Sequence, residues 1–261
     1  MKGWSLFAHS VGMVIRNLSE ALKIALVPVL IGFALVVGLT SMTGLSLGSL
    51  TDEAALQKML NDGGLGAFLM PIILLVFVLI AIELWVFVSW HRFILLEEYP
   101  NGWVPKFRFD RITAYLGSGL LIGLVTVLSL VPIAMIFGIL AGIISPVLPL
   151  VGALVPVATI IIAYLIFYRL SPVLPAAAVG DSLKLGEAWI FTTGASGTLL
   201  VTGLSTAAVQ FLLQFVAGLS MEVFLPLGIA FQILTGLVMS LVNVSILTTI
   251  YGHYVEGRPI D

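Results

Sequence analysis

The chain has no cysteine and very little charge. Without cysteine there are no disulfides, no thiolate metal sites and no cysteine nucleophile, and the redox compartment is left open. Charged residues make up 9% of the 261 positions, against about 25% in soluble domains. Hydrophobic residues make up 60%, and the mean hydropathy is +1.20. Such a chain cannot cover a water-facing surface, so lipid is its main solvent. A net charge of −2 points to no nucleic-acid partner. No HExxH pair, phosphate-binding loop or GxGxxG fingerprint occurs. The three histidines, His9, His91 and His253, are not at ligand spacing, and no metal or cofactor is expected. The start, Met1-Lys2-Gly3-Trp4, leads into an amphipathic stretch and does not read as a secretory signal.

The chain does contain long apolar runs. A spanning helix needs roughly 20 apolar residues, and six stretches qualify: Ile24–Met42, Ala67–Trp90, Ala114–Ile143, Val151–Tyr168, Thr198–Leu219 and Leu225–Tyr251. The expected fold is therefore all-α, a single integral membrane domain of six transmembrane helices. Pro28 falls near the start of the first span, where a missing N–H costs least. The second span is expected to stop at Trp90-His91-Arg92. Pro132 predicts a kink in the third span. Gly119/Gly123 and Gly138/Gly142 make that span a close-packing helix. Ser145–Pro149 reads as a tight uncharged turn, and Ser171–Pro175 as a helix break.

Three further segments lie outside the spans. In Trp4–Leu18, Trp4, Phe7, Val11, Val14 and Leu18 recur on one face, with Ser5, His9, Gly12, Arg16 and Glu20 on another. That pattern suits a helix lying at the headgroups, or one packed on the bundle. Asp181–Thr193 reads as a second interfacial helix, capped by Asp181 or Ser182 and closed by Gly194. Thr51–Leu60 reads as a short helix ended by Asn61–Gly64. Every Lys and Arg except Lys58 then falls on one side. The positive-inside rule makes that side cytoplasmic, with both termini inside, as in a multi-pass protein of a bacterial inner membrane. Candidate lipid-interface residues are Trp4, Arg16, Arg92, Lys106, Arg108, Arg111, Arg169, Lys184 and Trp189.

Few polar groups enter the apolar phase. Glu83 sits eight residues before His91, on the order of 12 Å inside that boundary. Gln210 and Gln214 share a face of the fifth span. Gln232 and Asn243 share one on the sixth, with Ser240 and Ser245 adding hydroxyls. These five residues, Glu83, Gln210, Gln214, Gln232 and Asn243, are either a polar path or interhelical hydrogen-bond contacts. The grouping closest to an enzyme site is His91, Glu97, Glu98 and Asp110, in what reads as an ordinary loop.

In Tyr168–Gly194 a span ends in Arg169, prolines follow at Pro172 and Pro175, then Asp181, then an amphipathic helix with Ala188 and Trp189, closing at Thr193-Gly194. This resembles the membrane domain attached to some glycerophosphoryl diester phosphodiesterases and its YciC-like stand-alone relatives. The resemblance implies a bacterial six-span protein without the soluble catalytic domain, so it transfers no catalytic residue. Two functions fit. One is a non-enzymatic accessory, scaffold or lipid-organising component, whose partners are the bilayer and another membrane protein or a second copy. The other is a small-solute or ion transporter using Glu83 and the polar residues of spans five and six.

Overall fold

The computed structural model describes residues 2–43 and 65–260. The helix expected at Thr51–Leu60, the Asn61–Gly64 turn and Lys58 lie outside them. The described residues form α1 (Lys2–Arg16), α2 (Leu18–Thr43), α3 (Leu65–Leu96), α4 (Phe109–Ile144), α5 (Leu150–Leu170), α6 (Val173–Val179), α7 (Leu185–Phe191), α8 (Ser196–Val223) and α9 (Leu225–Tyr254), with no strand among them. Six segments are long and apolar enough to cross a membrane: Leu18–Leu39, Leu69–Leu96, Phe109–Ile144, Leu150–Val179, Ser196–Val223 and Leu225–Tyr254. The all-α, six-span, multi-pass expectation is met.

Two boundaries differ from the sequence reading. The second span does not end at Trp90-His91-Arg92; α3 continues to Leu96. Trp90 and His91 are fully buried against neighbouring helices, so the polar side chains there mark packing and not the water boundary. Because α2 begins at Leu18, Pro28 lies well inside the helix and not near its start. The helix break expected at Ser171–Pro175 falls at Ser171-Pro172, between the end of α5 at Leu170 and the start of α6 at Val173. After a one-residue-pair turn the backbone re-enters a helix, α6, and Leu170–Ala178 is buried throughout. Gly180, at a left-handed φ of 101°, closes α6 and receives the chain reversal.

α9 is the hub. In its span 61% of the most apolar window is buried, against at most 22% in the other five. It packs on α8, α1, α3 and α6. The reason lies in three hydroxyls of its last turns. Trp90 Nε1–H on α3 donates to Ser245 Oγ at 2.8 Å. His91 Nδ1 lies 2.8 Å from Thr248 Oγ1, and His91 Nε2 lies 3.3 Å from the Tyr115 hydroxyl on α4. Ser10 on α1 meets Thr249 at 2.9 Å. Thr248 Oγ1 already donates to the Val244 carbonyl, so it accepts from His91 Nδ1–H, and Nε2 accepts from Tyr115. α9 is thus tied to α3 and α1 through hydroxyls that remain bonded to its own backbone, and α4 joins them through His91. Such ties hold helices together in lipid, where apolar contact alone supplies no preference for protein over hydrocarbon.

α1 packs against α8 and α9. Its buried face is Gly3, Leu6, Phe7, Ser10, Met13 and Val14, rotated from the Trp4–Leu18 stripe read in the sequence. Phe7 and Val14 point inward as expected, while Trp4 and Leu18 face out. The rotation follows from Gly3 and Ser10, which hydrophobicity does not mark. A Cβ at Gly3 would collide with the Thr198 carbonyl and the Val201 side chain, so glycine there permits the close approach of α1 to α8. The second helix begins at Leu185 and not at Asp181 or Ser182. Glu187 accepts the Lys184 backbone N–H at 2.8 Å, while Asp181 accepts from the Tyr251 hydroxyl at 2.7 Å.

Candidate functional site

Glu83 lies on the α3 face turned toward α9, above the buried Trp90–His91 layer. Ser240 of α9 lines the same space as its carboxyl. On α9, Gln232, Gly236, Ser240 and Asn243 recur at steps of four, four and three, forming one stripe. Two clefts open on either side of that stripe, and Glu83, Gly236 and Ser240 line both.

The first cleft, about 620 Å³, lies among α3, α5, α8 and α9. Besides the shared residues it is lined by Tyr164, Tyr168, Phe87, Gln210 and Asn243. The second, about 690 Å³, lies among α2, α3 and α9 and is almost wholly apolar; Gln232 is its one further polar side chain. Four of the five polar residues named from the sequence therefore come together around Glu83. Gln214 lines neither cleft. Tyr164 and Tyr168 were missed in the sequence, where they look like ordinary interfacial aromatics. Their ring centroids lie 4.2 Å apart with the planes tilted by 32°, and Tyr164 Oη–H donates to the Leu199 carbonyl at 3.2 Å, which fixes the aromatic wall. No Lys, Arg or His lines either cleft. Chemically the two clefts together offer one carboxyl, three amides, several hydroxyls and a large apolar surface.

The basic residues do not form one patch. Arg92 donates to Glu98 at 2.7 Å and to the Ala178 carbonyl at 3.1 Å. Arg108 donates to the other Glu98 oxygen at 2.7 Å, and Lys106 stands 3.8 Å away. These contacts clamp the turn after α3, where Glu97 takes the left-handed C-cap position at φ 54°. Arg111 pairs with Asp110. Arg169 lies 3.6 Å over the Trp189 ring and donates to the Trp189 carbonyl at 2.8 Å. Arg16 folds back along α1 toward Gly12, and Lys184 is exposed at the start of α7. Trp4 and Trp189 are both exposed. The His91, Glu97, Glu98 and Asp110 grouping does not converge: His91 is sealed against Thr248 and Tyr115, and Glu98 is spent on arginines. Among the described residues no group of acidic and histidine side chains is placed to hold a metal.

Burial pushes the Glu98 carboxyl up, but the hydrogen bonds and charges of Arg108 and Arg92 outweigh it, and the net shift is below the ordinary value of 4.5. A carboxyl depressed in the folded state contributes stability above its unfolded value and loses it as pH falls through the folded one. Thermal unfolding of the purified protein should therefore drop steeply from about pH 4.5 downward, and Glu98→Gln should flatten that drop. Parallel curves for the two proteins would refute the clamp. Compared with known proteins, the chain matches no family model, no curated protein and no solved structure.

Proposed function

We propose that this protein binds a small solute within the membrane at Glu83 and passes it along the polar stripe of α9. The observation that carries the reading is the convergence of Glu83, Ser240, Gln210 and Asn243, from three different spans, on one cleft of about 620 Å³. Interhelical contacts would consume these groups against one another. Here the amides face open space, and Asn243 is exposed. An ionisable residue inside a span costs at least about 2.5 kcal/mol on insertion scales, and it persists where it serves a path or a ligand. Both termini cytoplasmic, an inner-membrane location and membership among the YciC-like six-span proteins are part of the same proposal. The charge asymmetry supports the first two. The tie between Arg169, Trp189 and Thr192, all within the segment that carries the resemblance, supports the third.

The absence of cysteine gives a clean test. Single cysteines at Gln210, Asn243 and Leu128, the last exposed on the lipid side of α4, are challenged with a charged, membrane-impermeant thiosulfonate. Only a hydrated thiol ionises and reacts. Gln210→Cys and Asn243→Cys should react at least about tenfold faster than Leu128→Cys. Equal rates at all three positions would mean that the cleft is filled by lipid tails, and the reading would fall.

A second reading, a lipid-organising accessory, is favoured by one observation. Trp189, Ile190 and Phe191 on α7 and Trp103, Phe107 and Phe109 beside Lys106 are all exposed, as in a rim seated among headgroups.

A further inference from the structure

We propose that the solute is a lipophilic organic cation, its charged head held on Glu83 against the Tyr164, Tyr168 and Phe87 rings and its apolar body in the clefts. The inference rests on the binding reading above and names its substrate class. It starts from charge. The two clefts share a single carboxyl, and no basic side chain lines either of them. Ser240, Gln210 and Asn243 solvate a carboxylate but supply no positive charge. An anion entering this space would meet Glu83 with no cation to offset it. A cation supplies the counter-charge that the fold withholds.

Shape and surface narrow the class further. A bare divalent ion demands several oxygen ligands at short range, carboxylates foremost, and here a single carboxyl is joined only by neutral amides and hydroxyls in a cleft otherwise lined by rings and aliphatic side chains. Aromatic faces attract organic cations through the ring quadrupole, the more so where water is excluded. Tyr164 and Tyr168 are fixed as a pair by the bond to the Leu199 carbonyl and by their close, tilted ring contact, so the aromatic wall is in place before any ligand arrives. The second cleft, with Gln232 as its polar exception beyond the shared residues, takes hydrocarbon. Glu83, Gly236 and Ser240 stand where the two meet, so one molecule can keep its head at Glu83 while its body lies on either side of the α9 stripe.

Two probes of matching shape and opposite charge decide the matter: tetraphenylphosphonium and tetraphenylborate. Full-length protein is placed in nanodiscs of zwitterionic lipid, with empty nanodiscs correcting for partition into the bilayer. Saturable binding of the phosphonium is expected, weakened at least about tenfold by Glu83→Gln, with the borate neither binding saturably nor competing. Glu83→Asp should retain binding, which separates loss of charge from loss of fold. Saturable binding of both probes, or phosphonium binding indifferent to Glu83→Gln, would overturn the cation assignment. So would an absence of phosphonium binding. Cysteine labelling at Asn243 reports separately on whether the cleft is an aqueous site at all, so failure of the cation assignment and failure of the binding reading are distinguishable.

Discussion

Trp90→Ala is expected to be the most damaging single truncation in the packed end of the bundle, costing about 3 kcal/mol. Trp90 is 0% exposed, touches the α1 and α9 side chains of the largest apolar cluster, and donates its indole N–H to Ser245. Large-to-small changes at such positions lose a transfer contribution and a cavity contribution, and Trp→Ala typically costs about 3–5 kcal/mol. In a bilayer the transfer part shrinks, because hydrocarbon is available on both sides of the equilibrium. The cavity part remains, since an indole-sized void in a cluster shared by α1, α3 and α9 cannot close without moving one of these helices. Hence the lower end of the range. Trp90→Phe keeps most of the volume and loses only the hydrogen bond, for about 1 kcal/mol. Ser245 is left bonded to the Leu241 carbonyl at 2.7 Å, so no orphaned group adds to that figure. Equilibrium unfolding in mixed detergent micelles measures both variants. An alanine variant no less stable than the phenylalanine one would show that the hub is not centred on Trp90.

That hub was only partly readable from the chain. Hydropathy located all six spans, because lipid imposes a length and a composition that a window can count. It did not single out α9 as central, because burial among helices and burial in lipid select the same apolar residues. The ties that distinguish α9 are Ser245, Thr248 and Thr249, and hydroxyls bonded to their own helix are common in spans. His91 misled the reading of α3 for the same reason. A histidine beside an arginine signals the water boundary unless a partner such as Thr248 sits opposite, and no sequence window contains residues 157 positions apart. The break at Ser171-Pro172 was legible from its prolines, but the immediate return to helix was not. Here Pro172 and Pro175 fall at the cap and in the first turn of α6, where a missing N–H costs nothing.

The candidate site was better marked than the core. A carboxyl in a span is rare enough to stand out, and the stripe Gln232, Gly236, Ser240 and Asn243 follows helical spacing directly. The pairing of Glu83 with that stripe was not visible, because it depends on which face of α3 meets α9. Nor was the exclusion of Gln214. It shares a helix face with Gln210 by spacing, yet it is exposed and lies beyond the reach of either cleft.

The same geometry makes Gly236→Leu a variant that should close the site without unfolding the protein. Gly236 lines both clefts, and a Cβ built there meets no atom within 4 Å. A leucine therefore leaves the backbone into free space and extends into the clefts that Glu83 and Ser240 also line. Leucine is the better helix former by close to 1 kcal/mol, so thermal stability should hold or rise. Access should fall: in the cysteine-free chain, adding Gly236→Leu to Asn243→Cys should slow labelling by an impermeant thiosulfonate at least about tenfold. Gly203→Leu supplies the contrast. A side chain at Gly203 would run into the Tyr164 ring, so that variant should lose stability together with access, as overpacked positions do, by about 1–3 kcal/mol. Blocking with an intact melting temperature at Gly236, and blocking with a lowered one at Gly203, would separate an open functional space from a packing contact. If Gly236→Leu leaves the labelling rate of Asn243→Cys unchanged, the two clefts do not communicate past Glu83, and α9 carries no continuous path.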